Sequence, residues 1–119
     1  MRLHIGRNSM HYVYILRCSD NSYYTGSTGN LERRLEEHRT GFYQGYTSTR
    51  LPVELVWSDE FPTENEAFLT ERQIKGWSRA KKEALIRGDW DGLHDIVKLE
   101  RRSREAHRRD GISARSETS

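Results

Sequence analysis

The chain has 119 residues, of which 34% are hydrophobic and 32% charged, with a formal net charge of +2. At 14.0 kDa there is room for one domain and little more. No stretch approaches the ~20 apolar residues that a membrane span needs, and a mean hydropathy of −0.96 predicts a small core under a heavily charged surface.

Met1 to Ser9 carry two arginines and no long apolar run, so they do not read as a secretory signal. They form an N-terminal extension (1–9), and Met10, just before the first strand pattern, is the candidate native start. Cys18 is the only cysteine, which excludes an internal disulfide. It reads as a small strand residue in a reducing compartment, and the protein is expected to be cytoplasmic.

Tyr12 to Cys18 alternates and is rich in β-formers, which predicts a strand. Ser19-Asp20-Asn21-Ser22 is a polar turn, and Tyr23 to Gly26 returns as the second strand of a hairpin. Gly26 marks a point where the backbone bends sharply or comes close to another group. Asn30 suits an N-cap, with a helix from Leu31 to about Arg39 turning Leu31 and Leu35 inward, and Gly41 stops it. Phe42 to Leu51 is a loop with one glycine and two tyrosines, too polar to be core and of the kind that often touches ligand. Pro52 introduces an apolar third strand, Val53 to Trp57. Thr63-Glu64-Asn65-Glu66 matches a capping box opening a helix to about Trp77. Ser78 to Arg87 continues that helix or restarts after Gly76, with Ala80, Ala84 and Leu85 as its apolar residues. Asp91 to Arg108 can form a last helix through Leu93, Ile96, Val97 and Leu99. The expected organisation is a domain over 10–88, a C-terminal helical extension over 89–109 and a disordered tail over 110–119.

Several side chains have chemistry to offer. On the helix opened by Thr63 the inner stripe runs Ala67, Glu71, Ile74, then Trp77 or Ser78. A carboxylate on a core-facing stripe is costly unless paired or bound to a cation. Either Glu71 pairs with Lys75 at i+4 and reaches water, or it holds a divalent metal. Arg34 and His38 are four apart and share one face of the first helix, while Arg33 is expected to point elsewhere and pair with Glu37. Arg34 is either a surface arginine or an anion-binding group, and His38 either a packed ring or part of a site. Tyr14 and Tyr24 are favoured strand residues. A phenol near pKa 10 acts as a general base at neutral pH only where positive charge lowers it.

Between Met10 and Gly88 eleven Lys/Arg balance eleven Asp/Glu, yet Arg72, Lys75, Arg79, Lys81, Lys82 and Arg87 are opposed within their stretch only by Glu83. This stretch is either a phosphate-binding surface or a solvated helix face.

Tyr12-Val13-Tyr14, Tyr24-Thr25-Gly26, Arg34, His38 and Glu71, in that order, resemble the GIY-YIG nuclease domain, and most closely the small stand-alone bacterial proteins made of little else. The resemblance covers about Met10 to Gly88. It implies an α+β fold, a small three-stranded antiparallel sheet flanked by helices. It also implies metal-dependent endonuclease hydrolysis of DNA phosphodiesters, with a role in DNA repair or processing. Magnesium or manganese is the implied cofactor and DNA the implied partner, with RNA a further candidate and neither a membrane nor an obligate protein partner. The implied catalytic residues are Tyr14 and Tyr24, one of them the base or water-positioner, Arg34 as transition-state stabiliser, His38, and Glu71 as the single metal ligand. Arg72, Lys75, Arg79, Lys81 and Lys82 are the expected nucleic-acid contacts.

Departures from the family pattern are Tyr12 and Val13 in the first triplet and Thr25 in the second. The asparagine that many members carry downstream of the glutamate is missing, since no Asn follows Asn65. The alternative reading is therefore a nucleic-acid-binding module that kept the fold and lost turnover, with Tyr43 and Tyr46 stacking on unpaired bases. A second alternative is a protein–protein adaptor using the charged segment Leu93 to Arg109.

Overall fold

A computed structural model describes residues 10–95. The fold is α+β: β1 (His11–Arg17), β2 (Tyr23–Thr28), α1 (Leu31–Thr40), a short 3-10 turn (Tyr46–Thr49), β3 (Glu54–Phe61), α2 (Glu64–Lys75) and α3 (Arg79–Arg87). The three strands form one antiparallel sheet in the order β2-β1-β3, so the most apolar strand is central and the two polar ones are edges. Val13, Tyr14, Ile15 and Leu16 of β1 are all buried, which makes this strand covered on both faces.

The hairpin closes through Ser19–Ser22, with Cys18 N–H donating to Ser22 O at 2.8 Å and Asn21 in the left-handed region at φ 70°. Asparagine tolerates that conformation better than most residues. β2 does not stop at Gly26 but runs on to Thr28, and Gly26 lies opposite Tyr14. Of the two readings of Gly26, close approach of another group is the one observed. β3 begins at Glu54 and extends to Phe61, four residues beyond the apolar run, because backbone pairing with β1 carries the polar segment Ser58–Glu60. The register slips by one residue between Ile15 and Leu16, which face Trp57 and Leu55, leaving Val56 as a bulge.

Asn30 caps α1 by accepting from Arg33 N–H at 3.1 Å, and Gly41 ends it at φ 78°. Thr63 caps α2 by accepting from Glu66 N–H at 3.1 Å. Ala67 and Ile74 are buried on its inner face, as the stripe predicted, and α2 packs across all three strands. The helix ends at Lys75 with Gly76 as its C-cap, and Ser78 caps a separate α3 by accepting from Lys81 N–H at 3.2 Å.

The chain divides into two compact units, one through Trp77 and one from Ser78. In the second unit Ala84, Leu85 and Leu93 are buried, whereas Ala80 is exposed. Asp89 accepts from Gly92 N–H at 2.9 Å where the chain turns helical again at 90–95. The extension 1–9, the rest of the expected last helix and the tail 110–119 lie outside the described residues. Among the described residues no helix is long and apolar enough to cross a membrane.

Candidate active site

Tyr14 is the centre of the site. It stands on β1 opposite Gly26, and its ring lies across that glycine. A Cβ at position 26 would be 2.5 Å from the phenolic oxygen and 2.7 Å from Cζ. The residue is glycine because the phenol needs the space.

The Tyr14 hydroxyl lies 2.8 Å from His38 Nε2, and His38 Nδ1 lies 2.7 Å from Thr47 Oγ1. All three side chains are fully buried. This chain corrects the reading of the 42–51 loop as too polar for the core: Thr47 enters the interior because the imidazole gives its hydroxyl a partner. Burial and the nearby Arg34 charge push His38 down to about 4, so its ring is neutral at physiological pH and bonds both hydroxyls without a charge.

An aromatic cluster surrounds the imidazole. Its ring centre is 4.6 Å from Tyr43, 5.3 Å from Tyr24 and 5.7 Å from Tyr14. Tyr46 stacks on Tyr24 at 6.2 Å and in turn carries the Arg50 guanidinium 3.8 Å from its ring centre. Arg34 lies over Tyr43 at 4.5 Å and interacts with the Tyr14 phenol. Arg34 and His38 thus share a face, as their spacing predicted. Glu37, assigned to Arg33, pairs with both arginines and more closely with Arg34, at 3.2 Å against 3.7 Å. At i+3 from one and i+4 from the other it reaches each.

Tyr14 and Tyr24 differ in access: Tyr14 is completely covered, whereas Tyr24 is half-buried. Burial pushes Tyr14 up to about 12, against the lowering effect of Arg34. Tyr24 is raised as well, by burial first and then by the Tyr14 and Tyr43 phenols. The charge on Glu71 contributes to raising both. Arg34 by itself therefore does not bring either phenol towards neutral pH.

Glu71 hangs from α2 with its side chain 13% exposed. Its Oε1 accepts from Ser27 Oγ at 2.5 Å, and its Oε2 lies 2.7 Å from Lys75 Nζ. Ser27 is the residue after Gly26 on edge strand β2, so the acid and the Tyr14 phenol reach this strand at successive residues. By strand alternation these two residues point to opposite faces, and what links the acid to the phenols is its charge, which acts on both Tyr14 and Tyr24. The Lys75 pair is the first of the two sequence readings of Glu71. Among the described residues no group of three or more His, Cys, Asp or Glu side chains converges. A lone, nearly covered carboxylate oriented by a hydroxyl fits a hard cation that keeps most of its shell for water and phosphate oxygens, as Mg²⁺ does. It does not fit a caged structural metal.

The basic stretch is divided between two helices. Arg72 lies over Phe68 at 5.6 Å and Lys75 pairs with Glu71, both on α2. Arg79, Lys81 and Lys82 are on α3, where Arg79 pairs with Glu83 at 3.0 Å. Arg87 lies 3.5 Å from Asp89. Glu83 is the only acid within the stretch, and Glu71 and Asp89, just outside it, also pair with its cations.

Sequence reasoning missed Thr47 and Ser27, which no local pattern marks. Tyr43 and Tyr46 were visible only as aromatic residues in a polar loop. Thr25, at the isoleucine position of the second triplet, is buried and its hydroxyl has no protein partner among the described residues.

Comparison with known proteins places the chain in a family. The model of the GIY-YIG catalytic domain matches residues 10–84. A UPF0213 protein of Natronomonas pharaonis is 50% identical over 76 residues, covering 64% of this chain and 89% of that protein. One from Staphylococcus haemolyticus is 47% identical over 76 residues, covering 64% of this chain and 93% of its own length. The solution NMR structure of a UPF0213 protein from Bacillus halodurans is 42% identical, covers 70% of this chain and 92% of that one, and superposes with a TM-score of 0.45.

Proposed function

Since the chain belongs to the GIY-YIG catalytic-domain family, we propose that it is a metal-dependent endonuclease hydrolysing phosphodiester bonds in DNA, and RNA as a further substrate, in repair or processing within the cytoplasm. What supports this reading is that Tyr14, lying over Gly26, bonds His38 and through it Thr47, with Tyr24 and Arg34 beside it, while Glu71 bonds Ser27, the next residue of β2, and its charge acts on both phenols.

Glu71 is the residue that would hold Mg²⁺ or Mn²⁺. A divalent cation there would supply positive charge beside the scissile phosphate and would offset the raising effect of the Glu71 charge on both phenols. Arg34, already turned toward Tyr14, donates to the phosphate as negative charge builds in the pentacoordinate transition state. Tyr24, the phenol with access to solvent, positions the attacking water and takes its proton as the phenolate. Tyr14 and His38 fix the geometry from below. Arg72, Lys75, Arg79, Lys81 and Lys82 contact the nucleic-acid backbone, which makes binding weaken with salt.

The test is nicking of a panel of branched, flapped and single-stranded DNA by wild type, Glu71→Ala and Tyr24→Phe. Glu71→Ala abolishes metal-stimulated cutting with the fold intact; a Glu71→Ala protein that cuts as well as wild type removes the metal role. Loss of Arg34 costs on the order of 10²–10³ in rate.

The raised phenols and the Glu71–Lys75 pair favour a second reading, a binding module without turnover. Salt-sensitive DNA binding with no cleavage under Mg²⁺ or Mn²⁺ selects it.

A further inference from the structure

Both oxygens of the Glu71 carboxylate are engaged, by partners of different kinds. Ser27, on the edge strand, is neutral: its hydroxyl orients Oε1 without discharging it. Lys75 is a cation at 2.7 Å from Oε2, and its side chain is 52% exposed while that of Glu71 is 13% exposed. A carboxylate so covered is costly without a counter-charge, and the ammonium one helical turn away supplies it. The remaining site groups, Arg34 included, are turned to the phenols, Tyr43 and Glu37.

A divalent ion that ligates Glu71 needs an oxygen at about 2.0–2.1 Å. It then competes with a positive charge already in contact with Oε2. From this geometry we infer that Lys75 is the resident counter-ion of the Glu71 site: its ammonium holds Oε2 when no metal does, leaves when a divalent cation binds, and so sets the affinity of the site. The inference rests on the reading of Glu71 as the metal-holding residue. The flexible, half-exposed lysine stem makes departure easy. Once released, the ammonium stays on the same helix, free to meet a phosphate.

The test is Mn²⁺ binding to the full chain without nucleic acid, followed by the electron paramagnetic resonance of free Mn²⁺ at about 0.15 M salt. Lys75→Met tightens binding roughly threefold to tenfold, the size expected for removing one contact charge beside a partly covered carboxylate. Lys75→Arg stays near wild type. Arg72→Met removes the same charge from the same helix, but its guanidinium lies over the Phe68 ring while Lys75 is the cation on Oε2, and it changes affinity less than about twofold because water and salt screen a charge held away from the carboxylate. Glu71→Gln abolishes the bound ion in every background. Lys75→Met that binds no tighter than wild type, or Arg72→Met that tightens binding equally, overturns the inference and leaves the metal assignment standing. Mn²⁺ binding that survives Glu71→Gln overturns both.

Discussion

Replacing Gly26 by alanine tests the centre of the site with one methyl group. The new Cβ would sit 2.5 Å from the Tyr14 oxygen, 2.7 Å from Cζ and 3.1 Å from Cε1. Ordinary carbon–oxygen contact needs nearly an ångström more. Gly26 does not have positive φ, so alanine fits its backbone and the whole cost is the collision. Tyr14 is fully buried against His38, with Tyr24 beside it, so it can yield only by displacing these rings. Overpacking of this kind costs about 1–3 kcal/mol. Displacing the phenol also breaks its 2.8 Å bond to His38, and an unpaired buried partner adds about 1–3 kcal/mol. Together these are roughly 2–6 kcal/mol, which for a domain of this size lowers the melting temperature by at least about 8 °C. Thermal unfolding followed by circular dichroism measures it. Gly29→Ala is the control, since its Cβ would meet only the His11 ring at 3.6 Å, and it melts close to wild type. A Gly26→Ala protein that melts within about 3 °C of wild type refutes the packing of Tyr14 on the strand.

Acid stability follows from His38. It binds a proton near 4 when folded and near 6.5 when unfolded, so the unfolded chain holds more protons between these values. Stability therefore falls as pH drops from about 6.5 to 4, by roughly 3 kcal/mol at most; a ring that titrates near 6.5 by NMR in the folded protein contradicts this. Thr47→Val strips His38 Nδ1 of its partner and costs about 1–3 kcal/mol, whereas Thr47→Ser keeps the hydroxyl and most of the stability. Denaturant midpoints compare the two, and equal midpoints would mean the buried bond contributes nothing.

Local chemistry accounts for most of what could be read in advance. Asn30, Gly41 and Thr63 act at helix ends through their own side chains or backbone freedom, so their neighbours suffice to place them, whereas the break that makes Ser78 a cap is one of two readings the sequence leaves open. Spacing on a helix put Arg34 with His38 and turned Glu71 inward with Ala67 and Ile74. Polar Ser58–Glu60 gave no strand signal, because a strand there exists only through hydrogen bonds to β1.

The sequence by itself determined the hairpin, the first two helices, their order and the family, since helix caps, periodicity and two aromatic triplets depend on residues close along the chain. Tertiary structure alone decided which groups meet. Thr47 finds His38 nine residues away, Tyr14 finds His38 across 24, and Ser27 finds Glu71 across 44. No local pattern encodes those contacts, because each is made by packing a loop or helix onto the sheet. Burial, which depends on the whole fold, then sets the phenols high and the imidazole low.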